Sequence, residues 1–197
     1  MTLPTFGLTG GIASGKSQAL AYFAELGIPT CDTDQYDREV IAPGTPGDHA
    51  LRAALGPEFF TADGLDRGRL RNALFADPRL RQLVESIIHP RVRDAVSAWQ
   101  NTPKQAPYQI LCSPLLLETK PRALRGVIVV DVPESQQQSR GAQRDGTTPE
   151  AIEQIMAAQS DRATRLAKAD FILDNSGSKD ALRAQVQALH HKLKDSR

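Results

Sequence analysis

Short apolar segments alternate along this chain with longer stretches in which apolar residues recur every three or four positions. The short segments are predicted as strands, at residues 5–9, 27–31, 108–113, 126–132 and 169–173. The stretches between them are predicted as helices. Apolar strands that alternate with helices predict an α/β fold, with a parallel sheet of about five strands covered by helices on both faces.

The gap between the second and third predicted strands is much longer than a single crossover helix. It spans about 75 residues, whereas a minimal crossover needs a helix of roughly 10 to 15. We therefore expect a helical insertion over about residues 35–100, within one domain that spans 1–197. Pro90 predicts a helix break at His89. The insertion is rich in arginine, and its guanidinium groups suit an anionic acceptor, although any one of them is more often simply solvated.

Residues 10–17 carry the strongest chemical signal. Gly10, Gly15, Lys16 and Ser17 match the phosphate-loop pattern G-x-x-x-x-G-K-[ST], between a predicted strand and a predicted helix. In such loops backbone N–H groups surround a β-phosphate, the lysine bridges the β- and γ-phosphates, and the hydroxyl ligates Mg²⁺. The motif predicts binding of a nucleoside triphosphate. Ala13 stands where related loops often carry glycine, so we expect an ordinary negative φ there.

Asp32 and Asp34 directly follow the second predicted strand. The carboxyl ends of parallel strands meet at one edge of the sheet, which is also where the phosphate loop lies. Asp32 is nearer to the strand end and is the better candidate for a base that accepts a proton from an attacking hydroxyl. Binding Mg²⁺ through water, or simply forming a turn, remain alternatives for this residue.

Two arginine pairs follow the fourth predicted strand. Arg140 and Arg144 are spaced i, i+4, and Arg162 and Arg165 are spaced i, i+3, so each pair shares a helix face. Thr148 followed by a proline predicts a helix start between them. We expect a helical lid over about residues 138–168 that closes over a triphosphate. The alternative is that these arginines form surface ion pairs with neighbouring carboxylates.

Composition limits the classes of partner and the compartment. The formal net charge is only +1, so no global field favours nucleic acid or an anionic membrane. No apolar run approaches the roughly 18 residues of a membrane span. The phosphate loop begins within ten residues of Met1, which leaves no room for a signal peptide, and we expect a cytoplasmic protein. Cys31 and Cys112 each end an apolar segment and are predicted to be buried, reduced thiols.

The chain resembles the dephospho-CoA kinase family over nearly its whole length. The resemblance is carried by GLTGGIASGKS at 7–17, DTDQYDREVIAPGTPG at 32–47, DGLDRGRLRNALFADP at 63–78, IIHPRV at 87–92, SPLLLE at 113–118, and QSDRATRLAKADFILDNSG at 159–177. It implies a P-loop kinase that uses ATP and Mg²⁺ to phosphorylate the ribose 3′-hydroxyl of dephospho-CoA, the last step of CoA biosynthesis.

The resemblance also implies roles for individual residues. The catalytic residues would be Asp32, Lys16 and Arg140, and the metal ligand Ser17. The nucleotide-binding residues would be Ile12, Ala13, Ser14, Gly15, Lys16, Ser17, Arg140, Arg144 and Asn175. The acceptor-binding residues would be Thr9, Asp32, Arg38, His89, Leu117 and Glu118.

Two other functions remain open from the sequence. A nucleoside or nucleoside monophosphate kinase shares the loop, the lid and the fold, and differs in the acceptor pocket. A regulatory nucleotide switch is a less favoured alternative, because the chain has no NKxD guanine-recognition motif. Nucleic acid and membranes are not expected as partners, and we expect a monomer or a weak homo-oligomer.

Overall fold

The computed structural model describes residues 2–119 and 124–195. The chain forms two compact units. One unit contains the residues up to 32 together with those from 100 onward, and the other is the continuous segment 33–99.

A parallel five-stranded sheet forms the centre of the first unit. Its strands are β1 (Thr5–Thr9), β2 (Thr30–Asp32), β5 (Gln109–Cys112), β6 (Leu124–Asp131) and β7 (Phe171–Asp174), in the order β2-β5-β1-β6-β7. The expected α/β fold with a parallel sheet is therefore confirmed. The second strand begins later than predicted, at Thr30. Gly27 has a φ of 77° and terminates the preceding helix, and its left-handed backbone does not fit a strand.

Six helices belong to this unit. They are α1 (Lys16–Glu25), α6 (Leu116–Thr119), α7 (Glu134–Asp145), α8 (Pro149–Ala157), α9 (Arg162–Ala167) and α10 (Lys179–Asp195). Thr148 caps α8 by accepting a hydrogen bond from the Ala151 N–H, and Pro149 occupies the first turn, as the sequence predicts.

Side chains from β1 leave alternately toward the two faces of the sheet. Phe6 and Leu8 belong to a core cluster that includes buried residues of α1 and α10, such as Phe23 and Leu182. Gly7 faces the other way, where a Cβ would lie 2.5 Å from a methyl group of Leu116. This period of two places Phe6 and Leu8 on one face and leaves Gly7 on the other, against Leu116 of α6, so elements pack against both faces of the central strand.

The second unit has a small core of its own. Its elements are α2 (Thr33–Glu39), α3 (Pro46–Ala54), a 3₁₀ turn (Pro57–Phe59), the antiparallel pair β3 (Phe60–Thr61) and β4 (Gly64–Leu65), α4 (Arg67–Ala76) and α5 (Pro78–Asn101). The buried residues of this core are Ile41, Leu51, Leu55, Leu70 and Val84.

The helix break that we predicted at His89 is wrong. Helix α5 continues through Pro90 as one element of 24 residues. Proline at this position removes an N–H and crowds the carbonyl one turn earlier. Packing compensates, because Val84, Ile87 and Ile88 pack into the core of the unit. Next to the proline, Arg91 Nη1 donates a hydrogen bond of 2.6 Å to the carbonyl of Ile87.

One other expectation from the sequence, on the state of the two cysteines, is also resolved. Cys31 and Cys112 are buried and form no disulfide, which confirms that prediction. In the described part of the chain no helix has both the length and the apolar character needed to cross a membrane.

We predict that Pro90→Ala raises stability. Pro90 is exposed, so little packing is lost, and alanine restores a backbone N–H inside α5. The free energy of unfolding should increase by about 2 kcal/mol, after the gain in freedom of the unfolded chain is subtracted. Pro78→Ala is the matched control, because proline is tolerated in the first turn of a helix. Urea unfolding followed by circular dichroism measures both, and an unchanged or lower midpoint for Pro90→Ala would contradict the prediction.

Candidate active site

Residues 10–15 connect the end of β1 to the start of α1 with an unusual backbone. Ala13 has a φ of 54° and Gly15 a φ of 93°, both in the left-handed region. Left-handed residues in a short loop turn successive N–H groups toward one side and create a concave anion site. Among the described residues no side chain caps the start of α1, and an uncapped helix start of this kind leaves N–H groups that favour an anion.

The negative φ that we expected at Ala13 is therefore wrong. A left-handed conformation costs a residue with a Cβ roughly 1–2 kcal/mol. Ala13 nevertheless keeps the left-handed geometry that glycine usually supplies at this position. This geometry turns the loop N–H groups toward a common anion. Ala13 is the only residue other than glycine with positive φ among those that the structure describes. Strain of this kind is concentrated at functional sites.

The glycines of the loop lie very close to their neighbours, and at Gly15 the backbone angle also favours glycine. A Cβ on Gly10 would lie 2.4 Å from the carbonyl oxygen of Val130, and one on Gly15 would lie 2.1 Å from Asn175 Nδ2. A Cβ on Gly11 would lie 2.0 Å from Gln137 Oε1. Each distance is far below van der Waals contact, so the loop is held between β6, α7 and the end of β7.

Lys16 folds back over the start of the loop. Its Nζ donates to the carbonyl oxygens of Gly10 and Gly11, each at 2.9 Å. The ammonium group is thus held beside the concave side of the loop, where a lysine is required to meet the β- and γ-phosphates. Ser14 is buried, and its Oγ has no hydrogen-bond partner among the residues that the structure describes. Ser17 lies in the first turn of α1 with its side chain exposed.

Asn175 links the loop to the last strand and to α7. Its backbone N–H donates to the carbonyl of Asp131 at 2.8 Å, and its Nδ2 donates to the carbonyl of Ser14 at 2.8 Å. Arg140 Nη1 donates in turn to the carbonyl of Asn175 at 3.0 Å. The structure thus brings Asn175 and Arg140 to the phosphate loop. Arg144 instead bonds its neighbour Asp145, at 2.7 and 2.8 Å, and this pairing raises the pKa of Arg144.

Asp32 ends β2 at the same edge of the sheet as the loop. It pairs in register with Cys112, which in turn pairs with Leu8 on β1. Two strand spacings of about 4.8 Å place the Asp32 backbone about 10 Å from that of Leu8, two residues before the loop. The side chain is half-buried. A group held between the loop and β2 would therefore have this carboxylate on one side.

The segment between α8 and α9 contacts both the loop and α6. Gln159 Oε1 accepts the Ile12 N–H at 3.0 Å. Ser160 donates to Glu118 Oε1 from its N–H at 2.8 Å and from its hydroxyl at 2.6 Å. Partial burial raises the pKa of Glu118, but these bonds and the charge of Arg165 outweigh it and leave the pKa below its usual value.

Arg162 and Arg165 on α9 have different environments. Arg162 forms a two-bond ion pair with Asp131, at 2.9 and 2.6 Å. Arg165 is 7% exposed and donates to the carbonyl of Ser160. Sequence reasoning placed both arginines in the lid but did not find the contacts of Gln159 and Ser160. Those residues have no local signal, because their partners lie more than 40 positions away.

The remaining predicted acceptor residues are divided between the two units. Thr9 is buried at the end of β1, and Leu117 is half-buried in α6. Arg38 is exposed on α2, where its carbonyl accepts a bond from Arg67 at 3.4 Å, and His89 is exposed on α5. Both of these belong to the unit of residues 33–99.

The fold and the loop together define the class of protein. A Thermus thermophilus crystal structure covers 98% of this chain and 99% of its own, with a TM-score of 0.83 and 27% identity. A shikimate kinase from Bacteroides thetaiotaomicron has a TM-score of 0.54 at 16% identity, covering 98% of this chain and 99% of its own. The fold is that of the P-loop kinases.

Sequence comparison identifies the particular family. The model of the dephospho-CoA kinase family matches residues 5–181. Dephospho-CoA kinases from Idiomarina loihiensis and Thiobacillus denitrificans are 45% and 44% identical, covering 94% and 95% of this chain and 93% and 94% of their own length. A dephospho-CoA kinase from Campylobacter jejuni has a TM-score of 0.67 at 24% identity over 96% of both chains. The chain belongs to the dephospho-CoA kinase family, and its activity is that of the last step of CoA biosynthesis.

We predict that Gly15→Ala abolishes nucleotide binding. The new methyl group would displace Asn175 Nδ2 from the Ser14 carbonyl and would strain a residue with a φ of 93°. Gly27→Ala is the matched control, because its φ is also positive, at 77°, but nothing lies within 4 Å of the added Cβ. We expect the control to lose about 1 kcal/mol of stability and to keep its affinity for ATP. Titration calorimetry distinguishes the two, and equal ATP affinity in both variants would contradict the prediction.

Proposed function

We propose that the γ-phosphoryl group of ATP passes to the 3′-hydroxyl of dephospho-CoA at the sheet edge formed by the phosphate loop and Asp32. The observation that carries this assignment is the concave, left-handed loop with the Lys16 ammonium held against it. We assign residues 12–17 to the triphosphate. The Ile12 N–H already donates to Gln159 and the Ser14 N–H to the Gly11 carbonyl, so the backbone donors come from the other residues of this segment. Lys16 neutralises charge on the β- and γ-phosphates, where charge increases as the phosphoryl group leaves.

The residues present fit a bound Mg²⁺ ion. Mg²⁺ prefers oxygen ligands and commonly uses one or two protein groups together with phosphate oxygens. The exposed hydroxyl of Ser17, one residue beyond Lys16, supplies such a ligand. When bound, the ion would neutralise phosphate charge. No group of three or more His, Cys, Asp or Glu suited to a metal is present in the described ranges, so we assign the protein contribution to Ser17.

Asp32 acts on the acceptor in this proposal. Its position at the end of β2, about two strand spacings from β1, leaves room for the attacking hydroxyl between the carboxylate and the phosphates. The carboxylate accepts the hydroxyl proton while the oxygen attacks phosphorus. It also orients that hydroxyl, which is the larger requirement in a transfer with little bond formation to the nucleophile in the transition state.

We assign the CoA precursor and ATP to different parts of the chain. In the first unit, we assign Thr9 and Leu117, beside the sheet edge, to binding of the CoA precursor. In the insertion of about residues 35–100, Arg38 and His89 are our candidates for the same role. Glu118 orients this region through Ser160. Residues 138–168 form the lid, in which Arg140 and Arg144 approach ATP, and Asn175 lies at the adenine side. The bond from Arg140 to Asn175 supports this grouping.

We also propose that the enzyme acts in the cytoplasm as a monomer or a weak homo-oligomer. Asp32 and the residues that we assign to the phosphates all belong to the unit formed by the residues up to 32 and from 100 onward. Light scattering at assay concentration should give a mass near 21.5 kDa or a concentration-dependent mixture. A stable oligomer whose separated chains lose activity would contradict this proposal.

The reaction is tested by ADP release in the presence of Mg²⁺ and ATP. The acceptors are dephospho-CoA, AMP, CMP and common nucleosides, and the product is identified by mass. We expect stimulation by dephospho-CoA alone, with CoA as the product. Stimulation by a nucleotide or nucleoside instead would contradict the assignment of the acceptor. It would not contradict the assignment of the phosphate loop to ATP.

We predict that Asp32→Asn lowers turnover by at least ~100-fold, since loss of a general base costs roughly 10² to 10⁴ in rate. ATP binding should be retained because asparagine has a similar size. Asp34→Asn is the matched control, with the same change two residues later on the exposed surface of α2, and should stay within about twofold of wild type. Steady-state kinetics and ATP titration measure both effects. Near-normal turnover of Asp32→Asn would remove Asp32 from this role.

A further inference from the structure

The guanidinium group of Arg165 lies at the Gly11 end of the phosphate loop. Arg165 Nη1 donates to the carbonyl of Ser160, and Nη2 lies 3.0 Å from the point where a Cβ on Gly11 would stand. The carbonyl of Gly11 also accepts a bond from Lys16 Nζ. Because the phosphate-loop lysine meets the β- and γ-phosphates, this end of the loop faces the phosphoryl group that is transferred.

The carboxylates around Arg165 are bonded to other groups. Asp131 accepts two bonds from Arg162, Glu118 accepts two from Ser160, and Asp161 accepts two from Thr164. Within the described ranges no carboxylate forms an ion pair with Arg165, although these three and Glu134 act on it at longer range. Burial lowers the pKa of Arg165. A buried charge without a close counterion is costly.

We propose that Arg165 is a catalytic residue that binds the transferring γ-phosphoryl group of ATP. This proposal rests on the proposed function of the phosphate loop. The bond between the γ-phosphorus and the β–γ bridging oxygen breaks, the acceptor oxygen forms the new bond to phosphorus, and the acceptor proton passes to Asp32. Arg165 exchanges no proton. Its guanidinium donates hydrogen bonds to the equatorial oxygens, where charge is spread in the transition state.

The neighbouring segment acts on Arg165 through its backbone. Gln159 holds the Ile12 N–H, Glu118 holds Ser160, and the Ser160 carbonyl accepts from Arg165. These bonds fix the guanidinium relative to the loop before ATP arrives. Gln159 and Ser160 are therefore positioning residues, whereas Arg162 is already neutralised by Asp131 and is a poorer candidate for the phosphate.

The test compares ATP with ADP, which lacks the γ-phosphoryl group. Arg165→Met removes the charge and keeps most of the side-chain volume. We expect kcat to fall by at least ~100-fold, ATP affinity to fall by about tenfold, and ADP affinity to stay within about twofold. The melting temperature should change little, because the lost bond to the Ser160 carbonyl is offset by removal of a buried charge without a close counterion. Arg165→Lys should recover at least about tenfold of the lost kcat, because lysine restores the positive charge. The recovery should be incomplete because lysine lacks the bidentate hydrogen-bonding geometry of a guanidinium group.

Arg183→Met serves as the control, because Arg183 bonds Glu25 on the surface at 3.2 Å, and it should match wild type in kcat and in both affinities. A kcat of Arg165→Met within threefold of wild type would overturn the proposal. So would an equal loss of ATP and ADP affinity together with a lower melting temperature, which would indicate a structural role. Since the binding comparison needs no acceptor, a wrong assignment of dephospho-CoA would leave the difference between ATP and ADP intact.

Discussion

The left-handed backbone of the phosphate loop is the constraint on which the rest of the site depends. Two residues, Ala13 and Gly15, hold positive φ angles and turn the loop N–H groups inward. This conformation is strained at Ala13, and it persists because neighbouring elements enclose the loop. Asn175 holds the Ser14 carbonyl and Gln159 holds the Ile12 N–H. A loop ordered in this way loses little further conformational entropy when it binds phosphate. In this sense the loop is preorganised.

The parallel sheet explains why distant residues of the sequence meet at this loop. All five parallel strands end at one edge of the sheet. Asp32 and Asp131, the last residues of β2 and β6, and Asn175, which follows β7, therefore lie on the side of the loop. Helices that return from this edge supply Arg140 and Arg165. In the function that we propose, this edge combines the anion site of the loop with cations on one side and the Asp32 carboxylate on the other. Phosphoryl transfer needs this arrangement, because most of its catalysis is positioning and charge stabilisation.

The parts of the site that are contiguous in the chain were predictable from sequence, and the parts that depend on long-range packing were not. The loop, its lysine and the strand before it follow from a local pattern, and so does the cap of α8 at Thr148. The angle at Ala13 was mispredicted because the preference of alanine was weighed without the enclosing elements. The break at His89 was mispredicted because the core contacts of α5 outweigh the local cost of Pro90. The bonds of Gln159, and the lack of an ion pair at Arg165 within the described part of the chain, depend on residues far away in sequence, and no local signal contains them.

The most direct test is a crystal structure with Mg²⁺, a non-hydrolysable ATP analogue and dephospho-CoA. A preorganised loop predicts that Ala13 and Gly15 keep positive φ angles, and that the γ-phosphoryl group lies between Lys16 and Arg165 with the 3′-hydroxyl facing Asp32. A loop that changes its backbone conformation on binding, or a γ-phosphoryl group out of reach of Lys16, would contradict the central claim that the enclosed loop is built in advance for phosphoryl transfer.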